Sequence, residues 1–168
     1  MILKSYIKNF SLLEFIVVVS LIYVLSMLIW TASTRSSVAE KANAIKENHN
    51  KVVSFLNNQI NECEQNPNNL TKWKENCNEK WSANLIVDYL IKEINLKNPY
   101  SIKSNLIKAV PDPRISAEGK AGQSTDKGII FLPSFEFLPE TGSEWLIGTC
   151  VKSPCVAAGN NELVSIYR

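Results

Sequence analysis

From Leu12 to Trp30 the chain is built almost wholly of Leu, Ile, Val, Phe, Met, Tyr and Trp, broken only by Ser20, Ser26 and one carboxylate, Glu14. At about 1.5 Å rise per residue, a helix of roughly 20 apolar residues crosses a bilayer, and this stretch just qualifies. It holds no Pro and no Gly, so nothing in it forces a kink. Its two serines can bond back to carbonyls one turn earlier. The reading is a membrane helix. A secretory leader is a poorer fit, because its apolar core is shorter and ends in a small-residue cleavage site.

Glu14 is the exception inside that span. A carboxylate in lipid costs about 2.5–3.5 kcal/mol on insertion scales, so it needs a partner, a proton or a place near the interface. Ahead of it lies a short polar leader, Met1 to Asn9, carrying Lys4 and Lys8. Then comes the string Phe10-Ser11-Leu12-Leu13-Glu14, continuing F-I-V-V-V. This resembles the processing signal of type IV pilins and type II secretion pseudopilins. In that family a basic leader precedes a cut before a Phe, a Glu stands fifth after the cut, and an apolar helix follows.

The resemblance implies that a prepilin peptidase cuts between Asn9 and Phe10 and that the new amine of Phe10 is N-methylated. It also implies an assembly role, with Glu14 pairing to the amine of Phe10 in a neighbouring subunit so that two buried charges cancel. Removing one partner of such a pair costs about 3–5 kcal/mol. The implied partners are copies of the chain itself, the peptidase, the pilus or secretion assembly machinery and the inner membrane. The sequence departs from the pattern in two places. Asn9 stands where the family has Gly, a larger residue that still tolerates left-handed backbone. Tyr23 and Thr31 stand where many members carry a helix-breaking Gly and Pro. The softest stretch of the helix is then 31–37, rich in weak helix formers.

The 168 residues allow one anchor and one modest domain. Of 18 basic and 16 acidic side chains, Lys4 and Lys8 leave with the leader, so the remainder is balanced at 16 of each sign. No global basicity points to nucleic acid as a partner, and Lys120, Lys127 and Lys152 are too dispersed to make a DNA groove. Lys4 and Lys8 favour a cytoplasmic N-terminus, with the rest of the chain translocated and Trp30 at the far interface. Cys63, Cys77, Cys150 and Cys155 then fall in the translocated part, where disulfides are stable. Four cysteines allow three connectivities, and spacing favours Cys63–Cys77 and Cys150–Cys155. Zinc is the rival, weakened by a single histidine and by spacings unlike C-x2-C.

After the anchor, Val38, Ala42, Ile45, His49, Val52, Leu56 and Ile60 recur at helical spacing, with Val53 alongside. The helix is expected to run on to about Ile60, its second half laid against a sheet. About 50 residues make a rod of roughly 75 Å. The implied organisation is a leader over 1–9, a membrane half over 10–30, an amphipathic half over 31–62 and a globular head over 63–168. His49 reads as a packed, hydrogen-bonded residue. Residues 61–82 form an asparagine-rich connection, and Leu85 to Ile94 a second short helix with Trp73 and Trp81 packing near it. Asn98-Pro99-Tyr100 signals a turn, and Ala109 to Gly128, rich in Pro and Gly, reads as a loop. Strands are expected over 128–132, 144–151 and 163–167, with 135–138 as an irregular edge. The expected fold is therefore α+β and pilin-like, a long N-terminal helix on a small antiparallel sheet of three to four strands.

No chemistry of catalysis emerges. The sequence lacks a Gly-rich phosphate loop, H-E-x-x-H and G-x-S-x-G. Asp112, Asp126 and Glu136 are scattered, and Ala157 to Glu162 offers only Glu162, so no calcium loop is formed. No enzyme activity, cofactor or metal is expected. The expected function is structural, a filament subunit, with a secretion pseudopilin or an uncleaved, membrane-anchored binding module recognising DNA or a surface as alternatives.

Overall fold

The computed structural model describes residues 11–94, 96–100, 106–119, 127–138 and 142–168. One helix, α1 (Leu12–Gln65), takes up the first third of the chain. It is uninterrupted because no Pro or Gly falls within it, and it ends where Pro67 disfavours helical backbone at Asn66. The expected end near Ile60 is overrun by about one turn. Ile60 and Cys63 are both buried, and the contacts they make keep that turn helical.

The chain divides into two compact units, residues 1–40 and 41–168, and the boundary falls inside α1. In the first unit every described side chain of α1 is exposed. The segment is long and apolar enough to cross a membrane. In the second unit α1 buries Ile45, Asn48, His49, Val52, Leu56, Gln59, Ile60 and Cys63, the three- and four-residue spacing of one helix face. The expected stripe is thus present from Ile45 onward. Val38, also assigned to it, is 39% exposed.

A polar connection follows. Its backbone is tied by a bridge between Leu70 and Asn76, and by Glu75, whose carboxylate accepts the Ser82 N–H. Trp73 and Trp81 are both buried and meet edge to face at 5.0 Å. They are core residues. The helix α2 (Ala83–Glu93) buries Ala83, Ile86 and Leu90 on one side. The Asn98-Pro99-Tyr100 turn is present, with the Asn98 side chain accepting the Tyr100 N–H and donating to the Lys127 carbonyl.

The sheet has four strands, β1 (Ile107–Val110), β2 (Ile130–Pro133), β3 (Glu144–Cys150) and β4 (Asn161–Tyr167), in that spatial order. The last three form the expected antiparallel meander. The sheet as a whole is mixed rather than antiparallel, because β1 pairs with β2 in parallel. A parallel neighbour requires a crossover, and the crossover carries a short helix, α3 (Pro113–Glu118), in the stretch expected to be loop. Pro113 stands at the start of α3, the Asp112 carboxylate caps it by accepting the Arg114 and Ile115 N–H groups, and Gly119 closes it in left-handed backbone (φ 66°). The Pro and Gly that suggested a loop are its start and stop signals.

Packing of α3 on the sheet depends on Gly148. A β-carbon there would lie 2.6 Å from the Pro113 carbonyl oxygen and 2.8 Å from the Ala117 methyl. Phe137 does form an irregular edge, trading two backbone hydrogen bonds of 2.9 Å with Trp81. The main core joins Val52, Leu56 and Ile60 of α1 to Trp81, Ile86 and Leu90, and to Ile130, Ile147 and Ile166 of the sheet. This is an α+β fold, a long N-terminal helix packed on a small sheet, consistent with a pilin-like architecture.

Candidate functional site

The residues singled out by sequence cluster at the start of α1. Asn9 and Phe10, the cleavage and methylation positions, lie outside the described residues. Ser11 and Glu14 lie within them and are joined reciprocally. The Ser11 N–H donates to the Glu14 carboxylate at 2.9 Å, and the Glu14 N–H donates to the Ser11 hydroxyl at 3.2 Å. This is a capping box, which satisfies two of the N–H groups that a helix start leaves unpaired. Ser-x-x-Glu before an apolar run is its sequence signature, and that signal stands in plain view at Ser11. Glu14 therefore has an intrachain role, with one carboxylate oxygen engaged by its own helix.

Beyond the cap the helix surface is bare. Sixteen large apolar side chains between Leu12 and Trp30 are at least 42% exposed, from Leu12 (79%) to Trp30 (75%). Fully covering one such side chain is worth about 2 kcal/mol, so lipid or protein is a more favourable surrounding for this surface than water. The two serines among them are turned back onto the helix. The hydroxyls of Ser20 and Ser26 donate to the carbonyls of Ile16 and Ile22, each at 2.7 Å. Thr31 and Thr34 do the same further on, at 3.0 Å to Leu28 and 3.1 Å to Trp30.

In the second unit α1 carries three buried polar residues, each tied to a different part of the head. Asn48 donates to the Lys97 carbonyl at 3.0 Å, and Gln59 accepts the Lys72 N–H at 3.1 Å. His49 meets the Thr149 hydroxyl of β3 through Nδ1 at 2.8 Å. Burial pushes the imidazole pKa down to about 4, opposed by the Glu162 carboxylate, so the ring is neutral at pH 7. His49 is a packed, hydrogen-bonded core residue.

The structure brings Cys63 to Cys77 and Cys150 to Cys155 as disulfides, with Cα atoms 5.2 Å apart in each pair. The first pins the last turn of α1 to the polar connection. The second closes the turn after β3, where Lys152, Ser153 and Pro154 are exposed while both cysteines are buried. The Asn160 and Asn161 side chains donate to the carbonyls of Pro154 and Cys155 and hold this turn in place.

The scattered charges are spent locally. Asp112 caps α3, Glu136 pairs with Lys80 at 3.3 Å, and Glu162 pairs with Lys46 at 2.6 Å. Lys127 and Lys41 each lie 5.6 Å from the Tyr100 ring centre. Asp126 and Lys120 lie outside the described residues. Among the described residues no group of three His, Cys, Asp or Glu side chains is placed to hold a metal. Comparison with family models, curated proteins and solved structures finds no match for this chain.

Proposed function

We propose that the chain is a structural subunit of a type IV pilus-like filament, working by assembly rather than catalysis. The observation that carries this reading is the division within α1. One half exposes a continuous apolar surface with a single carboxylate one turn from its start, and the other half is built into a folded head. In this reading prepilin peptidase cuts after Asn9, the amine of Phe10 is methylated, and the head is delivered across the inner membrane. Copies then pack through residues 12–30, and the free oxygen of Glu14 takes up the Phe10 amine of a neighbour. A pseudopilin of a secretion system would use the same parts in a shorter assembly. The two disulfides support an oxidising location for the head.

A second reading is an uncleaved, single-pass binding module whose head recognises a surface or DNA. Two observations favour it: Asn9 replaces the usual Gly, and Glu14 already serves its own Ser11 N–H. The deciding experiment is the intact mass and N-terminal sequence of the protein taken from its native cell envelope. The filament reading expects a chain beginning at methylated Phe10. A chain beginning at Met1 leaves Glu14 without a neighbouring amine and overturns that reading in favour of the anchored module.

A further inference from the structure

His49 is fully buried between Ile45 and Val52, which are themselves fully buried one turn away on either side along α1. Its Nδ1 has Thr149 as partner, while Nε2, equally buried, has none among the described residues. A neutral ring tolerates this, since only one of its nitrogens carries a proton. A protonated ring has two N–H donors and one acceptor, and it places a full charge where water does not reach. The charged group that acts on the ring is Glu162 of β4, and its carboxylate is already paired with Lys46 of α1. From β3 the ring faces the uncharged Thr149, which lies opposite Glu162 in the β3–β4 pairing. The local structure therefore holds the neutral ring well and the charged ring badly.

We infer that His49 is an acid-sensitive latch within the head, joining the docked half of α1 to β3 while neutral and loosening that joint when its ring is protonated. The inference does not rest on the filament reading. Its sign follows from where each state takes up the proton. The unfolded chain binds it near the ordinary value of 6.5 and the folded chain near 4. Packing is therefore at full strength above pH 6.5, weakens as the pH falls towards 4, and changes no further through this group below that. At pH 5 the folding equilibrium is lowered about 30-fold relative to pH 7.5 by this residue alone.

The chain has one histidine, so its imidazole C–H resonances are unambiguous in NMR of the full protein in detergent micelles. The ring is expected to titrate well below 6. Urea unfolding followed by tryptophan fluorescence at pH 7.5 and pH 5.0 supplies the second readout, on the parent and on His49→Asn. The asparagine amide places a polar atom near the position of Nδ1 to meet Thr149 and does not titrate. Between the two pH values the folding equilibrium of the parent is expected to fall about 30-fold further than that of the variant. Glu162→Gln, which removes the charge favouring the protonated ring, is expected to move the ring titration lower still. A parent ring that titrates near 6.5 overturns the latch whether or not either variant folds. So does an equal loss of stability in the parent and His49→Asn.

Discussion

The two halves of α1 share one backbone and one period but obey different solvents. From Ile45 to Cys63 buried residues recur every three or four positions, and most of the others are Lys, Glu, Asn and Ser. From Leu12 to Trp30 apolar residues fill every side of the helix. A one-sided stripe is satisfied by one neighbour, here the sheet, and fixes which face meets it. An all-round apolar surface needs covering on all sides, and none of the described residues 12–30 is buried. The first pattern specifies a fold, and the second specifies a surrounding.

Leu56→Ala and Leu21→Ala test this directly. Leu56 is 1% exposed in the core, so its truncation is expected to cost about 2–5 kcal/mol in urea unfolding of the head. Leu21 is 57% exposed, and its truncation is expected to leave that unfolding curve unchanged. Equal effects would break the distinction. Leu21→Lys reverses the outcome, with membrane retention weakened by about 2.5–3.5 kcal/mol in fractionation while the head stays folded.

The disulfides should divide the same way, acting only on the head. Cys63→Ser with Cys77→Ser opens a loop of 14 residues and is expected to cost about 3 kcal/mol, read as a lower urea midpoint. Gly148→Ala pushes a methyl group into the Pro113 carbonyl and Ala117, and is expected to cost about 1–3 kcal/mol in the same assay. The smallest effect belongs to the bare half. Ser11→Ala removes half of the capping box and is expected to weaken the first turn by about 1 kcal/mol. Amide exchange at residues 12–15 in micelles would report it, with the head unaltered.

Much of this was legible in the sequence because it rests on long periodic runs. The span, the stripe from Ile45 to Ile60, the helix at Leu85–Ile94 and the three-strand meander all carry several residues of pattern. What escaped was short or punctuated. The four residues Ile107–Val110 of β1 carry too little alternation to announce a strand, and only its pairing with β2 makes it one. Asp112-Pro113 and Gly119 read as loop residues because Pro and Gly serve both turns and helix ends. Val38 fits the helical period, yet it is 39% exposed, since period says which face a residue shares and not where its neighbour stops. At the proposed site, Glu14 was visible as an isolated acid. Its bond to Ser11, announced by the Ser-x-x-Glu spacing, was passed over in reading the sequence, and it engages one of the two carboxylate oxygens.

The hydroxyls of Ser20 and Ser26, folded back onto carbonyls one turn away, have a consequence for transfer between phases. A helix that leaves lipid for a sheath of protein, or the reverse, normally has to exchange hydrogen-bond partners on the way. Between Leu12 and Trp30 this helix carries its partners with it, and only Glu14, Tyr23 and Trp30 hold polar atoms that register the change. If the helix works as proposed, most of its length meets lipid and protein alike, and the polar atoms that would distinguish the two lie near its ends and at Tyr23.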